Sequence, residues 1–76
     1  MLKEYLKLGR VVVTTGARNT LCMDDVQIAL MRHQKNESAI VDGERVFSIY
    51  KSKKQKFYII TENDRSVTTI LLPSEY

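Results

Sequence analysis

An α+β fold is predicted by three features of the chain. A β-branched run, Val11-Val12-Val13-Thr14-Thr15, stands ahead of a stretch whose apolar residues recur at helical spacing. After Gly43 the spacing changes to the two-residue alternation of strands, interrupted twice by polar turn segments. One long helical stretch and several strands in so short a chain are accommodated by laying the helix on one face of a single sheet. The expected order is a short N-terminal helix, one strand, one main helix, and then a three-stranded antiparallel meander, all in a single domain spanning residues 1–76.

Leu2, Tyr5 and Leu6, with Lys3, Glu4 and Lys7 between them, suggest the short amphipathic first helix, ended by Gly9. Its apolar face would pack on the sheet or dock on a second copy. The unbroken apolar run from Val11 predicts a strand buried on both faces, hence central. Gly16 to Thr20 breaks the pattern, and Asn19, Thr20 or Asp24 could each cap the helix that follows. Met23, Val26, Leu30 and His33 share one helical face, while Asp24, Asp25, Arg32 and His33 suit the helix dipole. The helix could continue through Asn36 to Val41, with Asp42-Gly43 as its stop. Strands are expected over 45–51, 56–62 and 67–72, with Asn63-Asp64-Arg65-Ser66 as the second turn and Pro73 as the terminator. Phe47 and Ile49 are assigned to one face with Phe57, Ile59 and Thr61, and Tyr58 and Ile60 to the other.

Composition narrows the function classes. A chain of 76 residues buries only about 60% of the surface its unfolded form exposes, so a homodimer would add useful apolar burial. One cysteine, Cys22, excludes an internal disulfide framework, and one Cys with one His cannot complete a structural zinc site. The charged beginning is unlike a signal peptide, and no apolar run approaches the roughly 20 residues of a membrane span. A cytoplasmic protein with no membrane contact is expected.

No catalytic constellation is legible. Cys22 and His33, eleven residues apart, would lie about 16 Å apart along one straight helix, too far for a dyad. Cys22 reads as a small buried side chain, and His33 as a cap or boundary residue at a helix end. Asp24 and Asp25 diverge around the helix, and Thr14 to Arg18 lacks P-loop spacing. No enzyme, metal or cofactor is expected.

The net charge is +3, but residues 51–56 read Lys-Ser-Lys-Lys-Gln-Lys, leaving eight basic and nine acidic residues elsewhere. The basic character is one hairpin tip on a near-neutral body. Tyr50, Phe57 and Tyr58 flank it, so it could hold phosphates and stack bases. It could equally be a solvated turn whose lysines deter strand pairing. Four tyrosines also suit a protein interface, because tyrosine buries apolar area and keeps a polar tip.

The segments Arg45-Val46-Phe47-Ser48-Ile49-Tyr50 and Phe57-Tyr58-Ile59-Ile60-Thr61-Glu62-Asn63-Asp64-Arg65-Ser66-Val67-Thr68-Thr69-Ile70-Leu71-Leu72-Pro73-Ser74-Glu75-Tyr76 resemble a family of small uncharacterised bacterial proteins carried by plasmids, integrated elements and phages. Val13 to Ala17, Arg32-His33, Asn36, Ala39 and Gly43 fit the same pattern, so the resemblance covers most of residues 10–76. The chain departs from it after Arg32-His33, where relatives carry a longer segment containing Asp-Trp-Gly, and at Tyr58, where tryptophan is common. Short proteins of mobile elements often act against host defence, so the resemblance implies a stoichiometric inhibitor of a restriction or CRISPR complex. The alternative is a small nucleic-acid-binding or regulatory accessory protein using the lysine hairpin; an antitoxin-like partner has only its size in favour. Candidate contacts to a partner protein or nucleic acid are Lys51, Lys53, Lys54, Lys56, Tyr58, Glu62 and Arg65. The turn around Glu62 to Thr69 has two readings: Asp64, Ser66 and Arg65 close it structurally, or Glu62 and Arg65 present contacts to a partner.

Overall fold

A computed structural model describes residues 6–35 and 44–76. Strand β1 (Arg10–Val13) leads into helix α1 (Thr15–Thr20) and helix α2 (Met23–Gln34). Strands β2 (Val46–Ser52), β3 (Gln55–Thr61) and β4 (Val67–Leu71) follow, and a 3-10 turn spans Pro73–Glu75. The fold is α+β. The expected first-helix residues Leu2 and Tyr5, and the continuation of α2 through residues 36–43, lie outside the described residues. Leu6 is buried and donates its backbone N–H to Gln34 O, but residues 6–9 form no helix.

β2, β3 and β4 pair antiparallel in succession, but the sheet is four-stranded and mixed, which corrects the expected three-stranded meander. β1 adds alongside β4 in parallel, from Arg10 opposite Val67 to Val13 opposite Ile70, giving the order β1-β4-β3-β2. The helices between β1 and β2 carry the chain from one edge of the sheet to the other. β1 is therefore an edge strand and not a central one, with Val11 42% and Val12 37% exposed. Its β-branched residues favour extended backbone wherever it pairs, and that preference says nothing about which faces are covered.

The core lies between the helices and one face of the sheet. Ala17, Leu21, Val26 and Ala29 pack against Phe57, Ile59 and Ile70, with Val13, Leu30, Tyr50 and Leu72 at the margin. Each large side chain buried here contributes about 1.5–3 kcal/mol. The segment read as a break, residues 16–20, is helical, because the Thr14 hydroxyl accepts the Ala17 N–H and caps α1. Neither Asn19, Thr20 nor Asp24 caps α2; its cap residue is Cys22, which is half-buried and makes no side-chain cap bond. Ser52, at the far end of β2, ties down this start of α2 from across the fold. Its hydroxyl accepts the Cys22 N–H at 3.1 Å and donates to Asp25 Oδ2 at 2.8 Å.

The β2–β3 hairpin turns through two residues, Lys53 and Lys54, so Ser52 faces Gln55 and Val46 faces Thr61. This register puts odd-numbered β2 residues opposite even-numbered β3 residues. Phe47 and Ile49 accordingly share a face with Ile60 and Tyr58, which corrects the expected sharing with Phe57, Ile59 and Thr61. Residues of β2 that face the helices are Val46, Ser48, Tyr50 and Ser52.

Candidate functional site

The sheet face opposite the helices carries the most distinctive surface. Phe47 and Ile49 from β2, Tyr58 and Ile60 from β3, and Thr69 and Leu71 from β4 lie on it in register. The turn Pro73–Glu75 brings Tyr76 onto the same face. Ring centroids of Phe47 and Tyr58 are 4.8 Å apart, and Tyr76 lies 5.8 Å from Phe47 and 5.9 Å from Tyr58. The tilted and edge-on angles are those favoured by aromatic quadrupoles. Ile60 and Leu71 are buried beneath them, while Phe47 is 39%, Ile49 58% and Tyr76 71% exposed. No described helix covers this face.

Lysine borders one end of it. Lys51 and Lys56 face each other across β2 and β3, two residues along from the Ile49–Tyr58 pair, about 7 Å. Like charges directly opposite destabilise a strand pair, so both ammonium groups turn to solvent. Lys53 and Lys54 form the hairpin tip, where Lys53 takes φ 58°, the positive value that the first loop residue of a primed turn requires.

Glu62 and Arg65 sit at the other end of β3, about 20 Å from the lysines, where they serve the turn. The Arg65 guanidinium donates to the backbone carbonyls of Glu44 and Glu62, and its own N–H donates to Glu62 O. The Glu62 carboxylate pairs with Arg45 at 3.1 Å. Asp64 Oδ1 accepts both the N–H and the hydroxyl of Ser66; the hydroxyl bond first, then the backbone bond, holds its carboxyl below the usual range. The structure thus gathers Lys51, Lys53, Lys54, Lys56 and Tyr58 at one end and leaves Glu62 and Arg65 apart from them.

A buried polar chain crosses the other side of the sheet. His33, fully buried in the last turn of α2, has Nδ1 2.7 Å from Ser48 Oγ and Nε2 2.9 Å from Thr61 Oγ1. Thr61 Oγ1 is 2.7 Å from Thr68 Oγ1, and Thr68 donates to the Leu8 carbonyl at 2.7 Å. That last bond sets the direction of all the others, because each hydroxyl has one proton. Thr68 donates to Leu8, so Thr61 donates to Thr68, His33 Nε2–H donates to Thr61, and Ser48 donates to Nδ1. The ring is the neutral Nε2–H tautomer, and burial lowers its pKa from 6.5 to about 4. His33 is therefore a core residue joining α2 to β2 and β3, which corrects its reading as a cap or boundary residue. Every bonding partner of the ring is an uncharged hydroxyl, and none could serve as the orienting acid of a catalytic pair.

Among the described residues, no three His, Cys, Asp or Glu side chains gather as a metal ion would need, and no helix is long and apolar enough to cross a membrane. Glu75 joins the C-terminal turn to α1, accepting the Thr14 hydroxyl at 2.6 Å and the Leu72 N–H at 3.0 Å. The hydroxyl first, then the backbone, lowers its pKa.

Sequence reasoning reached the lysines and Tyr58 but missed Phe47, Ile49 and Tyr76 as their neighbours. The signal was the Phe47-Ser48-Ile49 alternation combined with a two-residue loop, which together set the register. No protein-family model matches the chain, and comparison with curated proteins and with solved structures finds no match.

Proposed function

We propose that this chain is a non-enzymatic binding protein that engages a protein partner through the open sheet face. What supports the reading is one observation: Phe47, Ile49, Tyr58 and Tyr76 form an aromatic and aliphatic cluster on a face that no described helix covers. Aromatic side chains ringed by charged ones are the usual anchors of interfaces, and a few of them supply most of the affinity. The family resemblance adds a setting. In it the partner is a host defence complex, and the chain acts as a stoichiometric anti-CRISPR or anti-restriction inhibitor carried by a mobile element.

The test is protection in a host that carries a restriction or CRISPR system. Expression of the chain raises phage plating, and Ile49→Asp or Tyr76→Ala lowers it again while the protein stays folded. Loss of one such anchor costs about 2 kcal/mol or more of binding, roughly thirtyfold. Absence of protection in any such host overturns the inhibitor reading.

A second reading has its own observation, the placement of Lys51 and Lys56 on the same face as Tyr58. There the face binds single-stranded nucleic acid, with bases on the rings and phosphates on the lysines. Changing Lys51, Lys53, Lys54 and Lys56 to Gln abolishes binding on that reading and spares a protein inhibitor. Four phosphate contacts to a single strand would also give a salt slope of about −2.8 in log K against log salt.

A further inference from the structure

The free edge of β2 offers a second and separate surface. β2 pairs with β3 on one side, and among the described residues no strand pairs with its other side. Alternate residues of an antiparallel edge strand turn their N–H and C=O groups outward, ready to pair with another strand. Beside that edge lies an open groove of about 410 Å³, lined by Asp25, Ile28, Ala29 and Arg32 of α2 and Tyr50 and Lys51 of β2. Ile28 and Arg32 are four residues apart and so neighbours on one face of α2, and Ile28 is 53% exposed. An edge strand alongside an amphipathic helix is the geometry by which some domains hold an extended peptide as an added strand.

Charge selects the occupant. Arg32 and Lys51 flank the groove and Lys53 lies just beyond β2, while Arg45, just before it, is already paired with Glu62. The carboxylate in the groove, Asp25, already accepts the Ser52 hydroxyl. A second copy of this chain is a poor occupant, because twofold antiparallel pairing of β2 about its middle residue, Ile49, sets Lys51 opposite Phe47 and Lys53 near Arg45, so neither lysine meets an opposite charge. We infer that the groove takes an extended acidic peptide segment of a partner protein, added antiparallel or parallel to β2. Its backbone pairs with the β2 edge, its apolar side chains rest on Ile28, Ala29 and Tyr50, and its carboxylates meet Arg32 and Lys51. The seven residues of β2 set the length of the added strand at about 20 Å. Of its contacts only Lys51 belongs to the aromatic face; Arg32, Ile28 and the strand edge lie away from it, so the inference does not depend on that face.

The experiment is a titration of the isotope-labelled full chain with a capped synthetic Glu-Val-Glu-Val-Glu-Val peptide, followed by amide chemical shifts and hydrogen exchange. Shifts at Ile28 to Arg32 and along β2 are expected, with exchange of the outward β2 amides slowed at least tenfold. The Lys-Val counterpart is expected to bind at least tenfold more weakly. Arg32→Glu, an exposed change whose folding is checked from its own spectrum, weakens the acidic peptide at least tenfold. A footprint confined to Phe47, Tyr58 and Tyr76, or to the hairpin tip, overturns the inference. So does equal binding of the basic peptide, unchanged β2 exchange, or β2 shifts that track protein concentration without peptide, which would indicate self-pairing.

Discussion

Acidification should destabilise this fold through a single histidine. His33 is fully buried, and its pKa falls from 6.5 in the unfolded chain to about 4 in the native one because burial disfavours the charged ring. Between those values the unfolded chain binds more protons than the native one, so stability rises with pH across this window. The contribution is fully present above pH 6.5 and is lost progressively as pH falls towards 4. At about 1.4 kcal/mol per pH unit, the loss across the window is about 3 kcal/mol. A domain of this size has a total stability of about 4–11 kcal/mol, so the effect is large, on the order of 15 °C in Tm. Protonation also reverses the Ser48 bond, because a doubly protonated ring must donate from Nδ1 to Ser48, whose hydroxyl proton then needs another acceptor, while the bonds from Nε2 onward keep their direction. Urea unfolding at intervals from pH 7.5 to 3.5 measures the slope, with His33→Gln as the non-titrating control. The variant is expected to be less stable at neutral pH and much flatter between pH 6.5 and 4.5. The lowered carboxyls of Asp64 and Glu75 contribute stability above their ordinary pKa values and lose it only as pH falls below about 4.5. They therefore act in both proteins and below most of the histidine window. Parallel curves for the two proteins, or an Nδ1–H tautomer in nitrogen chemical shifts, would refute the reasoning.

Other substitutions probe local geometry. Gly9 has φ 61°, and a Cβ there would fall on the backbone of Arg65 and Ser66, so Gly9→Ala should cost more than the 1–2 kcal/mol, roughly, of a left-handed residue alone; a Tm within a few degrees of wild type would contradict that packing. Lys53→Gly relieves the positive φ at the hairpin tip and should leave stability unchanged or raise it by up to about 1 kcal/mol in denaturant melts. Ser52→Ala strips Cys22 N–H and Asp25 of their shared partner and should cost about 1–2 kcal/mol by the same measurement. Arg45→Ala breaks the half-exposed pair with Glu62 and should cost under about 1 kcal/mol, a cost that shrinks further as salt is added.

Much of the candidate site was legible residue by residue but not as a surface. The lysine hairpin was evident because charge runs and turn residues are local. Its neighbours Phe47, Ile49 and Tyr76 were not, because their face depends on the count of loop residues and on where the C-terminal turn folds back. Glu62 and Arg65 had two readings, closing the turn or contacting a partner; in the fold Glu62 pairs with Arg45, ahead of β2, and Arg65 donates to the Glu44 and Glu62 carbonyls. His33 was a lone histidine at a helix end, and only Ser48, Thr61 and Thr68 converging on it made it a core residue.

From the sequence alone came the α+β class, a main helix containing Met23, Val26, Leu30 and His33, and three strands placed within a residue or so. Those follow from short-range periodicity, which backbone geometry imposes on any amphipathic segment. The tertiary structure alone decided that β1 joins the sheet at an edge, parallel to β4, and that α1 exists with Thr14 as its cap. It also decided which face of β2 no described helix covers, and that Ser52 holds the Cys22 N–H and Asp25 at the start of α2 from across the fold. Apart from the Thr14–Ala17 cap, which is local, each depends on a pairing between residues far apart in the chain, and such pairings are chosen by the packing of the whole, not by the preferences of any one segment.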